Sequence, residues 1–170
     1  NDKLPDEHEL VSKGYLSKVT FFNQTPPPSY ALRINSQKPP FDDLNIRIGF
    51  HHAMNFEMVL ERIFRGDFVR MNTVADGYGD RSHPTLKARE FSIEKALDSF
   101  AKAGFTQRGG DGILINDAGE RLSVELLTGY RHFEDVLVVL KEQAKKAGLE
   151  LKLKVLEPVS YTHLRAHETQ

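Results

Sequence analysis

The chain has 170 residues, 39% apolar and 28% charged, with 23 Lys+Arg against 24 Asp+Glu for a formal net charge of -1. That balance belongs to a folded domain with a real core, and it lacks the basic excess that binding to nucleic-acid phosphates demands. There is no cysteine, which removes disulfides, thiolate nucleophiles and thiolate zinc sites, and no apolar run approaches the roughly 20 residues of a membrane span.

The chain opens on Asn1 in a polar run, NDKLPDEHE, so residues 1–14 read as the end of a preceding segment of something longer. KVTFFN (18–23) alternates as a strand, and the prolines of QTPPPS stop regular structure after it. YALRIN (30–35) reads as a second strand, closed by the turn SQKPP. From Phe41 the pattern turns helical: Asp42 or Asp43 caps, and Leu44, Ile46, Ile48, Phe50 and Ala53 lie on one broad side. Asn55 caps a second helix, in which Phe56, Val59, Leu60, Ile63 and Phe64 keep the helical period, with Gly66 as terminator.

Residues 67–84, DFVRMNTVADGYGDRSHP, keep no period and read as a long irregular connection, a kind that is often functional. SIEKALDSFAKAG is a helix capped by Ser92 and stopped at Gly104. GDGILINDAGERLSVELLT predicts two strands joined as a hairpin at NDAG. After GYRH, FEDVLVVLKEQAKKAG is an amphipathic helix ending at Gly148, with basic residues favourably placed in its last turns. LELKLKVLE is the closing strand. Strand, helix and strand at this spacing make a crossover candidate and an α/β fold.

Three stretches taken in order carry a resemblance: INSQKPPFDDLNIRIGFHHAMNFEMVLERIFRGD, then FSIEKALDSFAKAGF with DGILINDAGERLSVELLT, then FEDVLVVLKEQAKKAGLELKLKVLE. Together they resemble the extracellular solute-binding proteins of family 5, the peptide receptors of ABC importers, and most of all the subgroup for oligopeptides and microcin-type conjugates. Asn55 departs from the family's more frequent Asp, although both cap helices. The resemblance implies an α/β fragment of a bilobed, type II periplasmic binding protein, with residues 15–157 forming part of the second large lobe. It also implies a periplasmic location, a peptide or peptide-like ligand, ABC permease subunits as partners, no cofactor and no catalysis. The aspartate that pairs with the peptide amino terminus in the family lies downstream of the segment matching LKVLE, so peptide affinity of this segment alone is expected to be weak.

Ligands of open α/β sheets gather where loops leave the carboxyl ends of strands. That rule selects TGYRH, with Thr128, Tyr130, Arg131 and His132 as candidate contacts; Tyr130 would pack on a peptide face and Arg131 would meet a carboxylate. The plain alternative is an ordinary surface loop. Tyr78 is a candidate contact to ligand or to the opposite lobe, and Asn35, with Arg33, is placed near the cleft by the resemblance alone. His51 and His52, with Glu57 and Asp67 to complete a set, make a poor metal site because adjacent helical residues point about 100° apart. Asp76, Asp80 and His83 have no companion nucleophile and read as a surface connection. The face bearing Lys141, Glu142, Lys145 and Lys146 reads as solvated.

Two further functional classes fit the same composition. A family 5 module serving as effector domain of a transcription regulator would carry a helix-turn-helix upstream. A small α/β enzyme would need a catalytic constellation. The last segment, 158–170, has no apolar period, and VSYTHLRAHET matches codon by codon the translation of a transposase adapter used in sequencing libraries. Its His163, Arg165 and His167 are therefore left out of every site.

Overall fold

The computed structural model describes residues 7–17, 19 and 30–157. The 158–170 tail and, apart from Val19, the KVTFFN segment lie outside them. A short helix, α1 (Glu9–Ser12), begins at His8, whose Nδ1 accepts from the Leu10 amide.

Residues 30–35 form no ladder, contrary to the strand expected there. The alternation that suggested it is nonetheless real: Leu32 and Ile34 pack against the core while Tyr30, Arg33 and Asn35 face outward. A strand also needs a hydrogen-bonded neighbour, and this stretch has none among the described residues.

Asp43 starts the helical layer. Its Oδ1 accepts from the Asn45 amide at 2.6 Å and the Ile46 amide at 3.3 Å, which satisfies two of the orphan donors of α2 (Leu44–Ala53). The stripe that α2 buries is Ile46, Gly49, Phe50 and Ala53, whereas Leu44, expected on that side, is 59% exposed. The reason is rotation: two residues before Ile46, Leu44 points to a different side of the helix. Asn55 caps α3 (Phe56–Arg62) by accepting from the Met58 amide at 3.0 Å. Gly66 ends this region with a positive φ of 84°, a left-handed conformation that glycine adopts without strain.

The connection from Asp67 is irregular as expected, with one 3-10 turn at Gly79–Arg81, and it runs on to Phe91. Ser92 then caps α4 (Ile93–Lys102), which buries Ala96, Ser99 and Phe100 and packs on α2.

Two small sheets follow. The first pairs β1 (Phe105–Arg108) antiparallel with β2 (Leu114–Asn116). The second pairs β3 (Ser123–Thr128) in parallel with β4 (Glu150–Val155), in unbroken register from Ser123↔Glu150 to Thr128↔Val155. The hairpin expected at NDAG forms only at its base and does not extend into β3. The NDAG turn does form, closed by the Gly119 amide on the Asn116 carbonyl and by a single bridge between Ile115 and Arg121. The Leu122 amide still donates to the Leu114 carbonyl at 2.8 Å, and from there the chain pairs with β4 while β2 takes β1 on its ladder, a strand with only one half-buried residue, Phe105.

Between β3 and β4 runs α5 (Glu134–Lys146), which buries Leu137, Leu140, Gln143 and Ala144 and packs on β4. The strand–helix–strand unit is therefore a parallel crossover, which gives the chain its α/β character. One face of the two strands, with Val124, Leu126 and Thr128 beside Leu151, Leu153 and Val155, is apolar but for one threonine; the other carries Glu125, Lys152 and Lys154. A single core joins the layers, with Ile46, Phe50, Val59, Phe100, Leu122, Val124, Leu140 and Leu151 among its buried residues.

Candidate functional site

Strands β3 and β4 run in parallel, so their carboxyl ends lie side by side and the loops leaving them are neighbours. The first of these is Thr128–Phe133. Thr128 is almost fully buried, and its Oγ1 accepts from the Tyr130 amide at 3.1 Å, the local turn that a hydroxyl at this position favours. Its main-chain carbonyl accepts from the Leu156 amide at 2.8 Å, which continues the parallel pairing past the last residue of β4. A 3-10 turn, Arg131–Phe133, then leads into α5.

Arg131 does not stand alone at this edge. Its Nη2 lies 2.8 Å from Oε1 of Glu157, so a guanidinium on the loop after β3 pairs with a carboxylate on the segment after β4. Both side chains are largely exposed, at 74% and 71%, so the pair adds little to the stability of the fold.

Around the loop lies an aromatic cluster. The His132 and Phe133 ring centroids are 4.2 Å apart, and Tyr130 sits 5.6 Å from His132 and 6.3 Å from Phe133, edge-on to each. Tyr30 arrives from the other end of the chain, with its ring 4.9 Å from Phe133 and 6.3 Å from Phe68, and Phe68 in turn packs 4.7 Å from Phe64. These are edge-to-face and tilted separations at which aromatic quadrupoles attract. Tyr30 and Tyr130 remain 60% and 55% exposed, so the cluster presents an open wall.

The structure thus brings Thr128, Tyr130, Arg131 and His132 together in one loop, with Thr128 as its internal brace. Asn35 and Tyr78 stand in other segments. Asn35 is occupied locally: its Oδ1 accepts from the Gln37 amide at 3.0 Å and organises the turn before Pro39. Tyr78, 49% exposed, precedes the 3-10 turn of the long connection. Sequence reading did not include Tyr30, Phe68, Phe133 or Glu157 in the site. The available signals were aromatic residues bordering expected loops; no periodicity joins them.

The remaining polar candidates have structural roles. His52 Nδ1 lies 2.8 Å from the Glu90 carbonyl, while the His52 carbonyl accepts from the Ser92 amide, so His52 ties α2 to the segment before α4. Burial, aided by the charges of Arg89, Arg70 and His52, holds the His51 imidazole below its usual pKa. Glu57 is paired with Arg70. Asp76 accepts from the Thr73 hydroxyl at 2.6 Å and from the Asn72 and Thr73 amides, and these bonds, the Thr73 hydroxyl first, lower its pKa. The His83 ring accepts from the Thr85 and Leu86 amides. No group of three or more metal-ligating side chains occurs among the described residues.

Two surface concavities lie elsewhere. One is lined by Glu57, Leu60, Glu61, Arg65 and Gly66, the other by Asp111, Ile113, Lys141, Lys145, Leu149, Glu150 and Leu151. Neither includes a residue of the Thr128–Phe133 loop, and the tendency of ligands to gather at the carboxyl ends of parallel strands favours the loop over these concavities. Within the second, Arg121 Nη2 bonds Asp111 at 2.6 Å and lies 3.5 Å from Glu150, while Glu150 Oε2 is buried without a hydrogen-bond donor, Lys152 Nζ being 3.6 Å away.

Residues 3–170 match the family of bacterial extracellular solute-binding proteins, family 5, in its middle portion. The chain is 31% identical over 181 residues to the oligopeptide-binding protein AppA of Bacillus subtilis, a match covering 91% of this chain and 32% of that protein. The chain therefore spans about one third of that relative's length. The structure of AppA in complex with a nonapeptide superposes with a TM-score of 0.64 at 28% identity, covering 76% of this chain and 26% of that one. The oligopeptide-binding protein of Thermus thermophilus, complexed with a pentapeptide, gives 0.62 at 26% identity, covering 69% and 20%. NikA of Brucella suis, in complex with Fe(III)-EDTA, shares the fold with a TM-score of 0.67 at 23% identity, covering 79% and 27%. With its parallel crossover and its ordered motifs, the chain belongs to the bacterial extracellular solute-binding proteins of family 5.

Proposed function

We propose that this chain is part of a periplasmic receptor that binds a peptide or peptide-like solute and delivers it to the permease of an ABC importer, making and breaking no bond. The observation that carries this reading is the exposed loop Thr128–Phe133, braced by Thr128, at the carboxyl ends of parallel strands in a family 5 chain. Relatives named or solved as oligopeptide-binding proteins support peptide as the solute class. Affinity in such a receptor comes from enclosing the ligand, with main-chain hydrogen bonds giving tolerance of side-chain identity. Thr128, Tyr130, Arg131 and His132 would contribute to one wall of the enclosure, and Asn35 and Tyr78 would lie nearer its margins.

The test is to express the complete gene, purify the product without denaturation and identify by mass spectrometry what accompanies it. Co-purifying peptides, released on unfolding and exchangeable with added peptide, are the expected result. Recovery of non-peptide solutes alone, or turnover of a bound peptide, would overturn the proposal. A helix-turn-helix encoded upstream would favour the regulator instead.

A further inference from the structure

The Thr128–Phe133 loop was expected to offer Arg131 to a ligand carboxylate, yet the structure gives that guanidinium an internal partner. Arg131 sits in the turn that enters α5, where the helix's partial positive charge disfavours a second cation. Glu157, 26 positions later, meets it at 2.8 Å and leaves the pair neutral overall. What the loop then exposes beside this pair is ring surface: Tyr130, His132 and Phe133, extended by Tyr30.

We propose that the wall formed by Tyr30, Tyr130, His132 and Phe133 receives an uncharged, aromatic side chain of the bound peptide, and that Arg131 is a positioning residue which holds the loop through Glu157. This rests on the peptide-receptor reading and adds to it the kind of side chain met at this edge. Two features of the wall select that occupant. Ring edges and faces are presented together at 4.2 to 6.3 Å spacings, an arrangement that another ring extends in the same edge-to-face manner. An anionic side chain would have to compete with Glu157 for Arg131, and would gain little from a guanidinium already paired.

The experiment uses the full chain, labelled with 15N and titrated with three small probes: acetyl-phenylalaninamide, acetyl-glutamate-amide and triglycine amide. The phenylalanine probe is expected to shift the amides of Tyr130, Arg131, His132 and Phe133 saturably. The glutamate probe should bind about two- to tenfold more weakly, the ratio that one aromatic pair supplies. Glu157→Gln frees the guanidinium, so it should strengthen binding of the glutamate probe, and the double variant Arg131→Gln/Glu157→Gln should lose that gain. The charge-swapped pair Arg131→Glu/Glu157→Arg should restore wild-type preference, which general loosening of the loop would not do. Because both side chains are exposed, these variants leave the core intact.

If the glutamate probe binds the wild-type chain as tightly as the phenylalanine probe, or if Glu157→Gln changes nothing, the inference is wrong. Equal shifts from all three probes would also sink it while leaving the peptide-receptor reading in place. No shift from any probe at this loop would overturn the inference, while the peptide-receptor reading stands or falls on what accompanies the complete gene product.

Discussion

Gly49 of α2 lies flat against the ring of Phe100 of α4, and a Cβ at position 49 would collide with three atoms of that ring. Phe100 is completely buried, so the ring has nowhere to retreat. Gly49→Ala, although it favours helix locally, should therefore destabilise the chain by about 1–3 kcal/mol, the usual cost of overpacking. Denaturant unfolding of the variant measures this; a midpoint at or above that of the parent would show that α2 and α4 are not packed as described.

Asn55 is 9% exposed and caps α3 through a 3.0 Å bond to the Met58 amide. Asn55→Ala removes that acceptor and should cost about 1 kcal/mol or somewhat more. Asn55→Asp retains it and should stay within a few tenths of the parent. Thermal melts of the two variants side by side provide the comparison, and equal losses would assign the effect to burial instead of capping.

Arg70 pins the base of the long connection. Its guanidinium pairs with Glu57, donates to the Arg89 carbonyl at 2.6 Å and lies 5.3 Å over the Phe56 ring. Nearby, Asn72 Oδ1 accepts from the Ala88 amide, which closes the loop a second time. Arg70→Ala should speed proteolytic cleavage between Thr73 and Lys87 while leaving exchange at the α4 and α5 amides almost unchanged. Arg70→Lys should rescue only part, since an ammonium lacks the planar fork that serves two acceptors.

Acid should weaken the fold at two stages. The pKa of His51, a partly covered side chain, is lowered by partial desolvation first and then by the charges of Arg89, Arg70 and His52, so the unfolded chain binds its proton more readily. Stability from this group is full above the ordinary imidazole pKa of about 6.5 and is lost as pH falls through the lower folded value. The pKa values of Asp111 and Glu150 are also depressed, chiefly by hydrogen bonds from the Arg121 side chain and the Ser123 hydroxyl respectively. Their contribution is present above the ordinary carboxylate range near pH 4 and disappears as pH falls through the folded values. Unfolding midpoints measured across pH should thus decline in two steps. His51→Gln should flatten the upper step, and Arg121→Gln should shrink the lower one by the Asp111 share, leaving what the Ser123 hydroxyl gives Glu150 and the Thr73 hydroxyl gives Asp76. A single step untouched by either change would contradict this assignment.

Much of the helical layer was legible because its signals are local. Asp43, Asn55 and Ser92 cap from within four residues of the amides they serve. Gly104 and Gly148 each follow a helix C-cap at positive φ, whereas Gly66 lies four residues past the end of α3, behind Arg65, which is itself at positive φ. At Gly148 a Cβ would also press on Leu114, so that glycine has a packing role that only the folded chain reveals. The strands were harder to read. YALRIN alternates without acquiring a ladder, and FTQR in β1 hardly alternates yet forms one, because pairing depends on which neighbour is available.

The amino-acid sequence by itself determined the helix starts at Asp43, Asn55 and Ser92, the core-facing period of α3, α4 and α5, and the crossover from β3 through α5 to β4. These follow from propensities, caps and periodicities that act over a few residues. Only the tertiary structure decided that β2 pairs with β1, that Gly49 makes room for Phe100, that Tyr30 joins Phe133, and that Arg131 faces Glu157. Each of those choices depends on residues brought together by the packing of whole elements. No local pattern records such a meeting.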